Sequence, residues 1–207
     1  MAAFGCGCGA APKVEPNQVS LIDMIKKFEN DDVLLAAIEK KPQCLNDSDI
    51  DHKTVLMYAV EKGREVVIKK CFENGVYLEA TDSDGWTAMM YAARRGNIEI
   101  CEELLSFGAN LNTATREDGF TALHLAAGNE LIDVCLALVK AGADPNIKDS
   151  DGRTPDFYLK IPKNKEKLRE CLKTTYKEGK TADQIHKHRV EAGTEKSVSM
   201  AKNKYNL

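Results

Sequence analysis

One six-residue pattern recurs along this chain at a nearly constant interval. TVLMYA begins at Thr54, TAMMYA at Thr87, TALHLA at Thr121 and a looser copy, TPDFYL, at Thr154, so the steps are 33, 34 and 33 residues. The first three boxes are each followed by a second apolar stretch and then a glycine-containing turn: ENGVYLEA, SFGANLNT and KAGADPNI. The next box is announced by an acidic glycine turn, SDGWT, EDGFT or SDGRT. Threonine before an apolar run is a helix-start signal, and glycine just past its end is a stop signal. Each unit therefore reads as a turn, a short helix, a loop, a second helix and a return loop. One such helix pair cannot cover both of its own apolar faces. Neighbours must supply the missing contacts, which makes the expected fold a stacked array.

The period, the T-x-L-H-x-A box and a G-A-D-x-N ending (Gly142, Ala143, Asp144, Asn146) occur together in the third of these units. In this the chain resembles the ankyrin repeat family over about residues 17–176. The resemblance implies an all-α solenoid of helix-turn-helix units with hairpin loops. Its clear repeats are 49–81, 82–115 and 116–148, after an N-terminal capping repeat at 17–48. A C-terminal cap follows at 149–176, where Asp156 stands in place of leucine and IPKNK interrupts the link between the helices, while Leu168, Cys171 and Leu172 can still supply a buried face. Residues 1–16 read as an N-terminal segment containing cysteine and glycine. Residues 177–207 read as a basic tail with a short helix at 181–192, between Thr181 and Gly193.

His124, inside the third box, is a natural suspect for catalysis, but Met57 and Met90 hold the same slot in the two preceding units. A residue exchanged for methionine between equivalent units is architecture. In the resembled family the threonine and histidine of the box form hydrogen bonds that join hairpin to helix and link neighbours. Thr54, Thr87, Thr121, His124 and Thr154 are accordingly assigned to the scaffold. Three departures stand out. His52 replaces the hairpin glycine, one residue is inserted around Ala114–Arg116, and Gly128-Asn129-Glu130 replaces the RRGN arrangement of residues 94–97.

The net charge of −3 conceals an asymmetry. From Lys160 onward 13 Lys and Arg face 6 Asp and Glu, whereas the remainder holds 16 against 26. An acidic body with a basic tail suggests an acidic partner for the tail, such as the surface of a microtubule. Seven cysteines without a secretory signal argue against a disulfide framework. Cys71, Cys101, Cys135 and Cys171 fall in helical apolar patterns, where a thiol serves as a small hydrophobe. No apolar run reaches the roughly 18 to 20 residues a membrane span needs. A cytoplasmic, possible cytoskeleton-associated location is the expectation. Cys6 and Cys8, in GCGCG, are candidate lipidation sites, and membrane attachment is expected only if they are acylated.

No phosphate-binding G-x-x-x-x-G-K-[ST] loop, H-E-x-x-H or G-x-S-x-G elbow is present. The chain is expected to be non-catalytic, with no catalytic residue, no metal and no cofactor. A direct nucleic-acid role is disfavoured by the acidic body and the lack of a recognised motif. Members of the resembled family usually bind proteins along the concave face, through hairpin tips and the exposed ends of the first helices. The position before each box threonine holds Lys53, Trp86, Phe120 and Arg153, and the first helices end in Glu61-Lys62, Arg94-Arg95 and Gly128-Asn129. Trp86, Phe120, Arg94, Arg95, Lys53 and Arg153 are the candidate partner-binding residues, with Trp86 expected beside Phe120. Aromatic and arginine side chains dominate binding hot spots. The leading reading is an adaptor or scaffold that binds a protein in this groove. The second is a structural subunit of a large cytoplasmic assembly of cytoskeletal or axonemal type, anchored by its termini.

Overall fold

The computed structural model describes residues 20–27 and 30–176 and three isolated positions, Gln184, Lys187 and Glu191. The segment 1–16, with Cys6 and Cys8, lies outside the described residues. So does most of the anticipated 181–192 helix, of which the three described positions are helical and exposed.

Among the described residues the chain is all helical. It runs α1 (Leu21–Lys27), α2 (Asp31–Lys40), a 3₁₀ turn (Pro42–Asn46), α3 (Val55–Lys62), α4 (Glu65–Glu73), α5 (Ala88–Arg95), α6 (Ile98–Ser106), α7 (Ala122–Gly128), α8 (Ile132–Lys140), α9 (Pro155–Tyr158) and α10 (Pro162–Thr175). The helices form two rows. The first helices pack in the order α1, α3, α5, α7, α9; among the second helices α2 packs on α4, and α6 on α8, which packs on α10, while the Lys69–Glu103 ion pair bridges α4 and α6. The sequence accounts for this arrangement. First helices are rich in small residues, and Ala59, Ala92, Ala93, Ala126 and Ala127 are fully buried where helices approach closely. Second helices carry the bulk of the core, including Val67, Ile68, Ile100, Leu104, Val134 and Leu138. Burial pushes the thiols of Cys71, Cys101 and Cys135 up to about 12, so they stay protonated and pack as hydrophobes.

The units are also joined along two lines of loops. At the hairpins, the Ser83 N–H donates to the Asp51 carbonyl at 2.8 Å, Arg116 to Asp84 at 3.0 Å and Ser150 to Asp118 at 2.9 Å. Along the return loops, Asn46 Oδ1 accepts the Tyr77 N–H at 3.0 Å, Glu79 Oε1 accepts that of Asn110 at 2.8 Å, and Asn112 Oδ1 accepts that of Asp144 at 2.9 Å. Each bond spans roughly one repeat of sequence, so each ties a unit to its neighbour.

The hairpins need a left-handed residue two places before the box threonine. Gly85, Gly119 and Gly152 fill it, and His52 fills it in the first unit with φ +59°. A side chain there costs about 1–2 kcal/mol, although histidine is among the residues that tolerate this region best. A Cβ on Gly85 would lie 2.9 Å from the Arg116 backbone nitrogen, whereas one on Gly152 would meet nothing within 4 Å. The extra residue of the third unit lies at its hairpin tip, where the Thr115 N–H reaches across to the Phe120 carbonyl at 2.9 Å while Asp82 closes on Trp86 with one residue fewer. The insertion is thus absorbed within 116–119, slightly later than the sequence suggests.

Gly85→Ala and Gly152→Ala separate conformational strain from collision. Both incur the left-handed cost of about 1–2 kcal/mol, but only Gly85→Ala also drives a methyl into a backbone. In urea unfolding, Gly85→Ala should lower the midpoint clearly more than Gly152→Ala does.

Candidate functional site

A carboxylate, buried or partly buried, organises three of the four hairpins. Asp82 Oδ1 accepts the N–H groups of Trp86 at 2.8 Å and Asp84 at 3.1 Å, while its Oδ2 accepts the Tyr91 hydroxyl at 2.6 Å. Asp49 repeats this with the N–H groups of Lys53 and Asp51 and the Tyr58 hydroxyl at 2.7 Å, and Asp149 with Arg153, Asp151 and Tyr158. Burial alone would raise the Asp49 carboxyl. The Lys26 ammonium, the Tyr58 hydroxyl and the Lys53 N–H outweigh it and hold the group at about 2. The partner hydroxyl feels the reverse. Burial first, and then the Asp82 charge, push Tyr91 far above the usual tyrosine range. The tyrosines thus fasten the first helix to its own hairpin, rather than serving only to pack against the next unit as their place in the box suggests. The spacing Asp-x(8)-Tyr at 49/58, 82/91 and 149/158 is visible in the sequence and is the signal that could have found them.

The third unit is built differently. Thr115 takes the place of the aspartate, its Oγ1 still accepting the Phe120 N–H at 2.9 Å, and Leu125 replaces the tyrosine. Here His124 makes the connections. Its Nε2 lies 3.2 Å from the Arg153 carbonyl oxygen of the next unit. A carbonyl only accepts, so Nε2 carries the proton. Nδ1 is then an acceptor, 3.2 Å from the Thr121 N–H and 3.0 Å from Thr121 Oγ1. In the first unit the same place is held by the Met57 sulfur, which accepts the Thr54 N–H at 3.4 Å. The exchange of histidine for methionine therefore keeps a weak acceptor in position. Thr54 and Thr87 cap their helices by accepting the Met57 and Met90 N–H groups at 3.3 Å. Thr154 departs from this role, since its hydroxyl donates to Asp156 Oδ1 at 2.6 Å and makes no cap.

The candidate binding residues do not form one continuous patch. Trp86 is partly buried and lies against Tyr91, with ring centroids 5.3 Å apart, and the exposed Arg94 guanidinium sits 5.3 Å over the indole. Phe120 turns away from Trp86. Its ring meets Tyr158 edge-on at 5.5 Å and His124 at 5.7 Å, so the expected Trp86–Phe120 pair does not form. Lys53 is withdrawn from the surface. Its ammonium pairs with Glu61 at 2.6 Å and lies between the Tyr58 and Tyr91 rings, 4.7 and 4.2 Å from their centroids. Arg95 is exposed and donates to the Glu61 carbonyl. Arg153 pairs with Asp151 at 2.9 Å and covers Phe157. Of the four cationic candidates, Lys53 and Arg153 are paired with carboxylates, whereas Arg94 and Arg95 have no acidic partner among the described residues. Phe157 itself was not singled out by the sequence. It holds the slot in which Met57, Met90 and His124 are at most 2% exposed, yet it is 58% exposed because no described unit stacks beyond it.

The left-handed residue between the two helices is Gly63 in the first unit and Gly96 in the second, but Glu130 in the third, with φ +58°. Glu130 occupies the glycine position itself, which resolves the apparent shift of Gly128. Its carboxylate reaches the next unit, where it accepts the Lys160 and Ile161 N–H groups and the Asn164 amide, the last at 3.0 Å. These are the residues that lead into α10, and the IPKNK interruption supplies its start. A side chain is retained at a strained position because it orders the following helix.

No group of His, Cys, Asp and Glu able to hold a metal occurs among the described residues, nor is any of their helices long and apolar enough to cross a membrane. Comparison with protein-family models matches residues 56–149 to three copies of the ankyrin repeat. No curated protein gives a significant match.

The desolvated His124 ring is held below its ordinary value, with burial the main cause. An unfolded chain, titrating near 6.5, takes up the proton first. The contribution of His124 is therefore complete above about pH 6.5 and is lost as pH falls through the lower folded value. His124→Met, which removes the titrating group, should show a shallower loss of stability below about pH 6.5 in urea melts across pH.

Proposed function

We propose, from the three ankyrin repeats matched at residues 56–149 and the general use of such arrays in contacts between proteins, that the protein is a non-catalytic adaptor or scaffold of the cytoplasm. The partner lies along the first-helix and hairpin side of the array. The observation that carries this reading is the Trp86–Arg94 pair, an arginine over the only tryptophan of the chain at 5.3 Å. That arginine is exposed and has no acidic partner among the described residues. A preorganised aromatic with a guanidinium above it is the kind of anchor that gives large losses on truncation. Phe120, Arg95 and Arg153 extend the surface to either side, whereas Lys53 supports it from beneath.

A second reading, a subunit of a larger cytoskeletal assembly, is favoured by one observation. The sequence from Lys160 carries seven more positive than negative charges. In that case the array is a spacer, and an acidic polymer meets the tail. Acylation of Cys6 or Cys8 would add a membrane contact.

Quantitative crosslinking from native lysate separates the two. The full chain is compared with Trp86→Ala and with a deletion of 177–207. The groove reading expects crosslinks near Arg94 and a partner loss of at least about tenfold for Trp86→Ala, consistent with a hot spot worth 2 kcal/mol or more. An undiminished Trp86→Ala alongside loss of several proteins from the deletion would replace it with the spacer reading.

A further inference from the structure

The ends of the first helices make a row along the array. Seven residues after each box threonine stand Glu61, Arg94, Gly128 and Ile161. The four positions differ sharply in what they offer. Glu61 is engaged by Lys53. Arg94 is exposed over Trp86 with no acidic partner among the described residues. Gly128 is exposed, and a Cβ built on it would meet nothing within 4 Å. Ile161 is 47% exposed and is held beside the end of α7 by its N–H bond to Glu130, two residues beyond Gly128. The row therefore has a missing side chain in the third unit, with an aliphatic group on one side and an arginine on the other.

The walls of this notch are apolar. Leu125 lies one helical turn before Gly128 on the same face, where the other units carry a tyrosine bonded to an aspartate. On the hairpin side of the same unit, Phe120 is fixed by its edge-on contact with Tyr158. The nearby carboxylates are already spoken for: Glu61 by Lys53, and Glu130 by the start of α10. The exposed charge along this edge is that of Lys62, Arg94 and Arg95. Glu117 and Asp118 are also exposed, but on the hairpin at the far side of Phe120.

We propose that the third unit is an anchor slot for an acidic, extended peptide segment of the partner, which places a bulky apolar side chain over Gly128 and a carboxylate on Arg94. This rests on the groove reading given above and specifies its chemistry. Packed helices lie about 9 Å apart, and a segment extended as polyproline II advances about 3.1 Å per residue with three residues per turn, so every third side chain faces the array. The carboxylate and the apolar anchor are therefore three positions apart, as in Glu-x-x-Leu. The carboxylate meets a guanidinium preoriented by the indole, and the apolar side chain fills space that Leu125 and Ile161 leave open.

The test uses a displayed library of random twelve-residue peptides selected on the full chain. The enriched peptides are then titrated against the wild type, Gly128→Leu, Arg94→Glu and Trp86→Ala, with the anisotropy of a fluorophore on the peptide as the readout. Gly128→Leu is suited to this. Gly128 is helical, its Cβ space is open, and leucine is the better helix former, so the variant should fold at least as well as the parent. The expected result is an enriched acid and large apolar residue at a spacing of three. Binding should weaken at least tenfold in both Gly128→Leu and Arg94→Glu. Peptides that lack this spacing, or that bind Gly128→Leu undiminished while losing Trp86→Ala, would overturn the slot and leave the groove reading standing. Basic peptides would overturn the charge assignment. Failure to enrich any peptide, or indifference to all three variants, would overturn the slot and the groove reading together.

Discussion

Everything in this chain follows from the fact that no unit can bury its own apolar surface. A first helix of seven or eight residues, as in α3, α5 and α7, is too short to persist alone in water. It is held by capping at one end, by a left-handed residue at the other and by a neighbouring helix on each side. The hydrophobic term is shared between units, and the polar terms recur from unit to unit with local exchanges. The Asp–Tyr pair then does what packing cannot, since it fixes the angle at which a hairpin leaves its helix. A carboxylate that accepts two N–H groups and a phenol is satisfied in full, so its burial is tolerated and its geometry is determined.

The periodic box made the fold legible, because Thr, Gly and alternating apolar residues are local signals and repetition multiplies them. The scaffold role of His124 was legible for the same reason, through comparison with Met57 and Met90. The Asp–Tyr pairs were present at a fixed spacing but cross the box boundary, so attention to the box alone hides them. What the sequence could not carry was side-chain direction. Trp86 and Phe120 occupy equivalent positions, yet one ring lies against a tyrosine of its own helix and the other against Tyr158 of the next unit. Leu125 leaves Phe120 without the local partner that Tyr91 gives Trp86. Likewise Lys53 reads as a surface charge until Glu61 and two tyrosine rings are seen to enclose it.

The third unit gathers most of the irregularities. Thr115, Leu125, Gly128, Glu130 and the longer hairpin all fall within sixteen residues. Glu130 and His124 compensate by reaching forward, one to the start of α10 and the other to the Arg153 carbonyl. The unit has exchanged bonds within itself for bonds to its successor. That exchange strips polar groups from its exposed face while keeping its place in the stack, which is the local condition for an apolar notch in an otherwise charged strip.

The loop-to-loop ladders also bear on how the molecule yields to force. Each ladder bond joins adjacent units only, and the bonds run in series along the array. Tension applied at the two ends would put its full load on each junction between units, not divide it among them as in a sheared sheet. Such a chain gives way in small steps from its weakest end. Phe157, uncovered on the terminal face, marks where the first tooth of this zipper would part.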